Sequence, residues 1–115
     1  MDEILGRLEA ELRRGTLVLA VLAGLHEERY GYELRQSLAE AGLPVEEGTL
    51  YPLLRRLESH DLLASSWNTA GASPRRYYRL SADGDHVLKL LTKTWHRQVS
   101  VLDALLKDAL LKEDR

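Results

Sequence analysis

The sequence has no cysteine. Disulfides and thiolate metal sites are therefore excluded, and the composition suits a reducing cytoplasm. The four histidines, His26, His60, His86 and His96, show no helical ligand spacing such as i, i+4, so no metal site is expected. There is no Ser/His/Asp set or pair of carboxylates tied to a cleft. Glu46 and Glu47 are adjacent, but they precede a helix start rather than line a pocket. Neither catalytic residues nor a cofactor is expected. The longest apolar run, Leu17 to Leu25, is far short of the ~20 residues that span a bilayer. The opening segment "MDEILGRLEAELRR" is charged and amphipathic, unlike a secretory signal. A cytoplasmic protein without membrane attachment is expected. Internal repeats and low-complexity tracts are also missing.

What remains is the material of one small globular domain. The chain has 115 residues, 44% hydrophobic and 30% charged, a balance that can fill a modest core. Its net charge of −2 hides an uneven distribution. Residues 1–48 hold five basic and ten acidic side chains, while residues 49–79 hold five arginines against two acids. The middle of the chain is its only basic segment, and a local basic patch is what phosphate binding requires.

Apolar spacing defines the elements. Ile4, Leu5, Leu8 and Leu12 predict an amphipathic helix over 2–14. Gly15 and Thr16 interrupt the pattern, with Thr16 suited to cap a second, all-apolar helix over 17–28. "RYGY" reads as a turn about Gly31. Leu34, Leu38 and Ala41 predict a helix over 32–41, closed by Gly42 and Pro44. Leu50, Leu53, Leu54 and Leu57 predict a helix over 48–60. Pro52 is tolerated only in a first turn, which sets the start near Gly48 or Thr49. "LLASSW" (62–67) and "RRYYRL" (75–80) read as strands joined by the turn-rich loop "NTAGASP". Ser81 caps a long final helix reaching about residue 112. Helices followed by a hairpin make a mainly α fold with a small β-hairpin, arranged as a winged helix-turn-helix.

The helix over 48–60 has two unlike sides. Opposite its leucines stand Gly48, Pro52, Arg55 and Ser59, flanked by Tyr51 and Arg56. Arginines can bind phosphates or clasp guanine edges, and a helix N-terminus offers free N–H groups to a phosphate. The bland alternative is a solvated helix face. The hairpin adds Arg75 and Arg76 at the base of a Gly- and Ser-containing loop, suited to the sugar-phosphate backbone or a minor groove. An ordinary amphipathic hairpin is the alternative there.

"YGYEL", "GTLYPLLRRLE", "HDLL" and "GASPRRYYRLSADG" resemble the PadR family of bacterial transcriptional regulators, in order and spacing, across residues 15–86. The single C-terminal helix resembles its short branch, which includes regulators that bind planar drugs. The resemblance implies a homodimeric winged helix-turn-helix repressor with the 48–60 helix as recognition helix and "AGASPRR" as wing. Its implied DNA contacts are Thr49, Tyr51, Arg75 and Arg76, with Tyr32 adding a backbone contact; the outward face of the helix and the loop add Pro52, Arg55, Arg56 and Ser73 as candidates. Residues 1–80 then form the DNA-binding domain with its N-terminal accessory helix. Residues 81–115 form the dimerisation helix. Leu5, Leu8, Leu12, Leu91, Leu102, Leu105, Leu106 and Ala109 supply the dimer contacts. The operator would be an inverted repeat in double-stranded DNA.

Trp95 has two readings. It packs in the core or dimer, or it stacks on a planar aromatic or phenolic effector beside Leu91, Gln98 and Val99, with Asp103 further along. The rival to DNA regulation is a winged-helix module that docks a protein partner through its long helix.

Overall fold

The computed structural model describes residues 1–113. Four helices and three short strands follow in the order α1 (Asp2–Gly24), β1 (Arg29–Tyr30), α2 (Gly31–Glu40), α3 (Glu47–Ser59), β2 (Leu63–Asn68), β3 (Arg75–Leu80) and α4 (Ala82–Glu113). The fold is mainly helical with a small antiparallel sheet in the order β1-β3-β2. The last two residues of the predicted dimerisation element lie outside the described residues. Among the described residues no helix is long and apolar enough to cross a membrane.

The two predicted N-terminal helices are one. Gly15 lies within α1, and Thr16 caps nothing: its hydroxyl donates back to the Arg13 carbonyl at 2.9 Å. A mid-helix glycine costs about 1 kcal/mol relative to alanine. Burial of Val21, Leu22 and Leu25 outweighs it, at roughly 1.5–3 kcal/mol for each side chain. The helix ends at Gly24, with Leu25 as its C-cap, short of the predicted 28. Arg29 Nε and His26 Nδ1 donate to the Gly24 and Ala23 carbonyls there.

"RYGY" holds a strand rather than a turn. Arg29 pairs with Tyr78 and Tyr30 with Tyr77, which gives the sheet its third strand. Two residues are too few to show a strand period, and the open edge of β3 recruits them. The main hairpin keeps the predicted strands to within a residue. Leu63 stands opposite Leu80 and Asn68 opposite Arg75, leaving residues 69–74 as the wing loop.

α2 and α3 end in the same way. After α2, Leu43 N–H donates to Leu38 C=O at 2.8 Å and Gly42 N–H to Ala39 C=O at 3.0 Å. After α3, Leu62 donates to Leu57 at 3.0 Å and Asp61 to Glu58 at 2.9 Å. Both are Schellman caps with a left-handed residue at the turn: Gly42 at φ +97° and Asp61 at φ +61°.

The core joins α1, α2, α3 and the sheet. Val21, Leu22, Leu25, Leu34, Leu50, Leu54 and Leu57 are buried, with Leu63 and Tyr78 from the strands. α4 joins this core through its first turns. Ser81 Oγ accepts from Gly84 N–H at 2.9 Å, and Val87, Leu88 and Leu91 pack inward. A Cβ on Gly84 would lie 2.0 Å from the Leu62 carbonyl, so only glycine allows this approach.

Candidate nucleic-acid interface

α3 starts at Glu47, one residue before the predicted limit. Its first backbone bond of helical spacing runs from Leu50 N–H to Glu46 C=O, 2.9 Å. Pro52 therefore sits in the second turn and has no N–H to give the Gly48 carbonyl. An interior proline costs about 3 kcal/mol. Four leucines, Leu50, Leu53, Leu54 and Leu57, are buried along the opposite side at roughly 1.5–3 kcal/mol each, enough to hold the helix. Gly48 and Pro52 are both exposed, so the unmatched carbonyl lies on the solvent side.

The face that α3 turns outward carries Gly48, Thr49, Pro52, Arg55, Arg56 and Ser59, all exposed. Neither Arg55 nor Arg56 forms an ion pair among the described residues, so both guanidinium groups are available. Tyr51 differs from the rest. Its ring is half-buried and packs on Gly31, where a Cβ would fall 2.3 Å from Tyr51 Cε1. Tyr51 thus joins α2 to α3 as well as flanking the outward face.

Arg35 supplies a second joint, which periodicity alone does not reveal. Its Nε donates to the Val45 carbonyl at 3.2 Å and its Nη1 to Glu47 at 3.0 Å. α2 thereby holds both the connecting loop and the first turn of α3. Tyr32 is exposed on α2 and accepts a hydrogen bond from Gln36 at 3.0 Å.

The wing brings the basic segment together unequally. Arg75 is exposed and lies over the Tyr30 ring, 4.6 Å from its centre, where Tyr30 also meets Tyr32 and Tyr77. Ser73 is exposed in the loop. Arg76 points to the opposite side of the pleat and reaches Glu58 of α3 at 2.7 Å. Burial pushes the neighbouring Tyr78 phenol above its ordinary value near 10, while Arg76 draws it back.

The profile of the transcriptional regulator PadR-like family matches residues 18–90. The chain belongs to the PadR-like family. Its fold follows a PadR family transcriptional regulator from Eggerthella lenta at 50% identity and a TM-score of 0.87, over 91% of this chain and 94% of that one. A PadR-like transcription factor from Bacteroides fragilis aligns at 36% identity and a TM-score of 0.72, over 86% and 98% of the two chains. A transcriptional regulator of Mycobacterium tuberculosis is 37% identical over 75 residues, 64% of this chain and 70% of its own length. Family and fold are those of transcriptional regulators, not of enzymes.

In this PadR-like chain the remaining predicted residues separate into two groups. Leu91 packs against the core of its own chain, so it is less open to a ligand or partner than its spacing suggested. Leu5, Leu8, Leu12, Leu102, Leu105, Leu106 and Ala109 are exposed along the free ends of α1 and α4. Trp95 is 39% exposed. Val99 is half-buried, and Gln98 and Asp103 are exposed.

Proposed function

We propose that the protein is a homodimeric, DNA-binding repressor that inserts α3 into the major groove of an inverted-repeat operator. The observation that carries this reading is the division of α3: four leucines buried on one side, and Arg55 and Arg56 exposed without ion pairs on the other. Thr49 and Tyr51 stand at the end of α3 nearest its free N–H groups, and Pro52 shares the exposed face. Tyr32, Ser73, Arg75 and Arg76 add backbone contacts from α2 and the wing. The apolar residues exposed on α1 and α4 support a second copy as their cover, with residues 81–115 as the main dimer element. Half-sites would then lie about one helical turn apart.

A planar aromatic or phenolic effector would stack on Trp95 near Gln98 and Val99 and release the operator by favouring another spacing of the two α3 helices. The half-exposed indole supports that site.

The test is equilibrium binding to duplex DNA over a salt series. Arg55→Ala should weaken binding and make its salt dependence shallower, since each lost phosphate contact removes about 0.9 from the logarithmic slope. Unchanged affinity and slope in both Arg55→Ala and Arg56→Ala would remove α3 from the interface.

A further inference from the structure

The two wing arginines have different surroundings. Arg75 lies on the outer side of the hairpin, while Arg76 shares the inner side with Tyr78 and, across the register, with Ser65 and Trp67. Three side chains close a ring there. Arg76 Nη2 donates to Glu58 Oε1 at 2.7 Å, and Arg76 Nε donates to Ser65 Oγ at 3.1 Å. The Ser65 hydroxyl donates to the other oxygen of the Glu58 carboxylate. The guanidinium also lies 5.5 Å from the Tyr78 ring centre and 5.8 Å from that of Trp67. The Arg76 and Glu58 side chains are only 35% and 26% exposed.

A guanidinium held this way is already matched. A phosphate would have to displace a carboxylate that is hydrogen-bonded to both Arg76 and Ser65. The ring also spans three elements: Glu58 belongs to α3, Ser65 to β2 and Arg76 to β3. Apart from the buried core, it ties the C-terminal half of α3 to the middle of the wing. Two elements that must meet one duplex need a fixed separation, and supporting side chains provide it.

We infer that Arg76 is a positioning residue rather than a phosphate ligand: with Glu58 and Ser65 it sets the wing against the recognition helix. This refines the DNA-binding reading above, on which it rests, by moving Arg76 from contact to support. Glu58, an acid inside the basic segment, then strengthens DNA binding although its charge repels the ligand.

The sign of one substitution separates the two roles. The probe is a duplex that the wild-type protein selects from a randomised pool. If Arg76 is a support, Glu58→Gln weakens binding about tenfold, because the charge-assisted link is lost. If Arg76 is a phosphate ligand restrained by Glu58, Glu58→Gln frees it, and binding tightens. Exchanging the charges, Glu58→Arg with Arg76→Glu, supplies the rescue. A support predicts affinity restored to within about threefold of wild type, with the wild-type salt slope. Arg76→Ala alone stays weak. The inference is overturned if Glu58→Gln tightens binding, or if the exchanged protein melts like wild type yet binds no better than Arg76→Ala. Should the exchange not fold, the near-isosteric Glu58→Gln decides by itself. A wild-type protein that selects no duplex would remove the DNA-binding reading and this refinement together. Wild-type binding with tightening by Glu58→Gln would remove the refinement alone.

Discussion

Gly31 and Tyr51 share one space: the hydrogen of the glycine faces the ring of the tyrosine, and a methyl group there would sit 2.3 Å from Cε1. This contact sets how closely α2 crosses α3. Gly31→Ala should displace the Tyr51 ring and cost about 1–3 kcal/mol, the usual range for overpacking. Thermal melting reads the loss of stability. Duplex binding by the same variant should fall as well, since the ring borders the outward face of α3. A variant as stable as wild type would mean that α2 and α3 can separate without penalty.

Asp61 occupies the position that Gly42 fills after the preceding helix, yet it carries a side chain at φ +61°. Left-handed backbone disfavours a Cβ, and aspartate bears that cost better than most residues. Asp61→Gly should raise stability by about 0.5–1 kcal/mol and Asp61→Val should lower it. The Ser81 hydroxyl bonds the Asp61 carbonyl, not its carboxylate, so both variants keep that contact. Denaturant midpoints for the two would show opposite shifts; shifts of the same sign would mean that the carboxylate matters more than the backbone.

Tyr78 couples stability to alkaline pH. In the unfolded chain its phenol loses the proton near pH 10, and burial in the fold holds the proton to higher pH. Between those two values the native form binds more protons, so stability falls as pH rises. Below about pH 9 the contribution is complete. Tyr78→Phe should therefore keep a constant stability difference from wild type at neutral pH and gain on it above about pH 10. Parallel stability curves through pH 11 would show that the phenol titrates as freely in the fold as in the unfolded chain.

Leu105 is 62% exposed on α4, and Leu12 is 71% exposed on α1. Single exposed leucines are ordinary, but a run of them along two helices is costly to leave in water. With the dimer as proposed, Leu105→Glu should shift the protein to monomer in sedimentation at micromolar concentration. Its operator affinity should drop at least tenfold, because one half-site then binds alone. A dimer that persists in this variant would place the interface elsewhere.

Much of the molecule could be read in advance, and the exceptions have physical causes. The leucines of α3 and the Ser81 cap are local signals, and both stand as expected. Gly15 and Thr16 misled because propensity is a weak prior, and burial of Val21 and Leu22 decided in favour of one helix. β1 was hidden because two residues carry no period. The proline rule puts the start of α3 a residue late because it leaves out the leucine burial that outweighs the cost of Pro52. Arg55 and Arg56 are exposed, as their place away from the leucines of the helix predicts. The Glu58–Arg76 link and the hold of Arg35 on the α2–α3 loop depend on residues far apart in the chain, and no spacing announces them.

The unbroken course of α1 through Gly15 makes its two ends parts of one rod about 35 Å long. The tip bearing Leu5 is exposed, while Val21 and Leu22 are buried in the core beside the leucines of α2 and α3. Whatever grips the tip therefore holds a lever whose short arm is in the core. A swing at Leu5 would reach the contact of α1 with α2 along a single helix, with no loop between to absorb it.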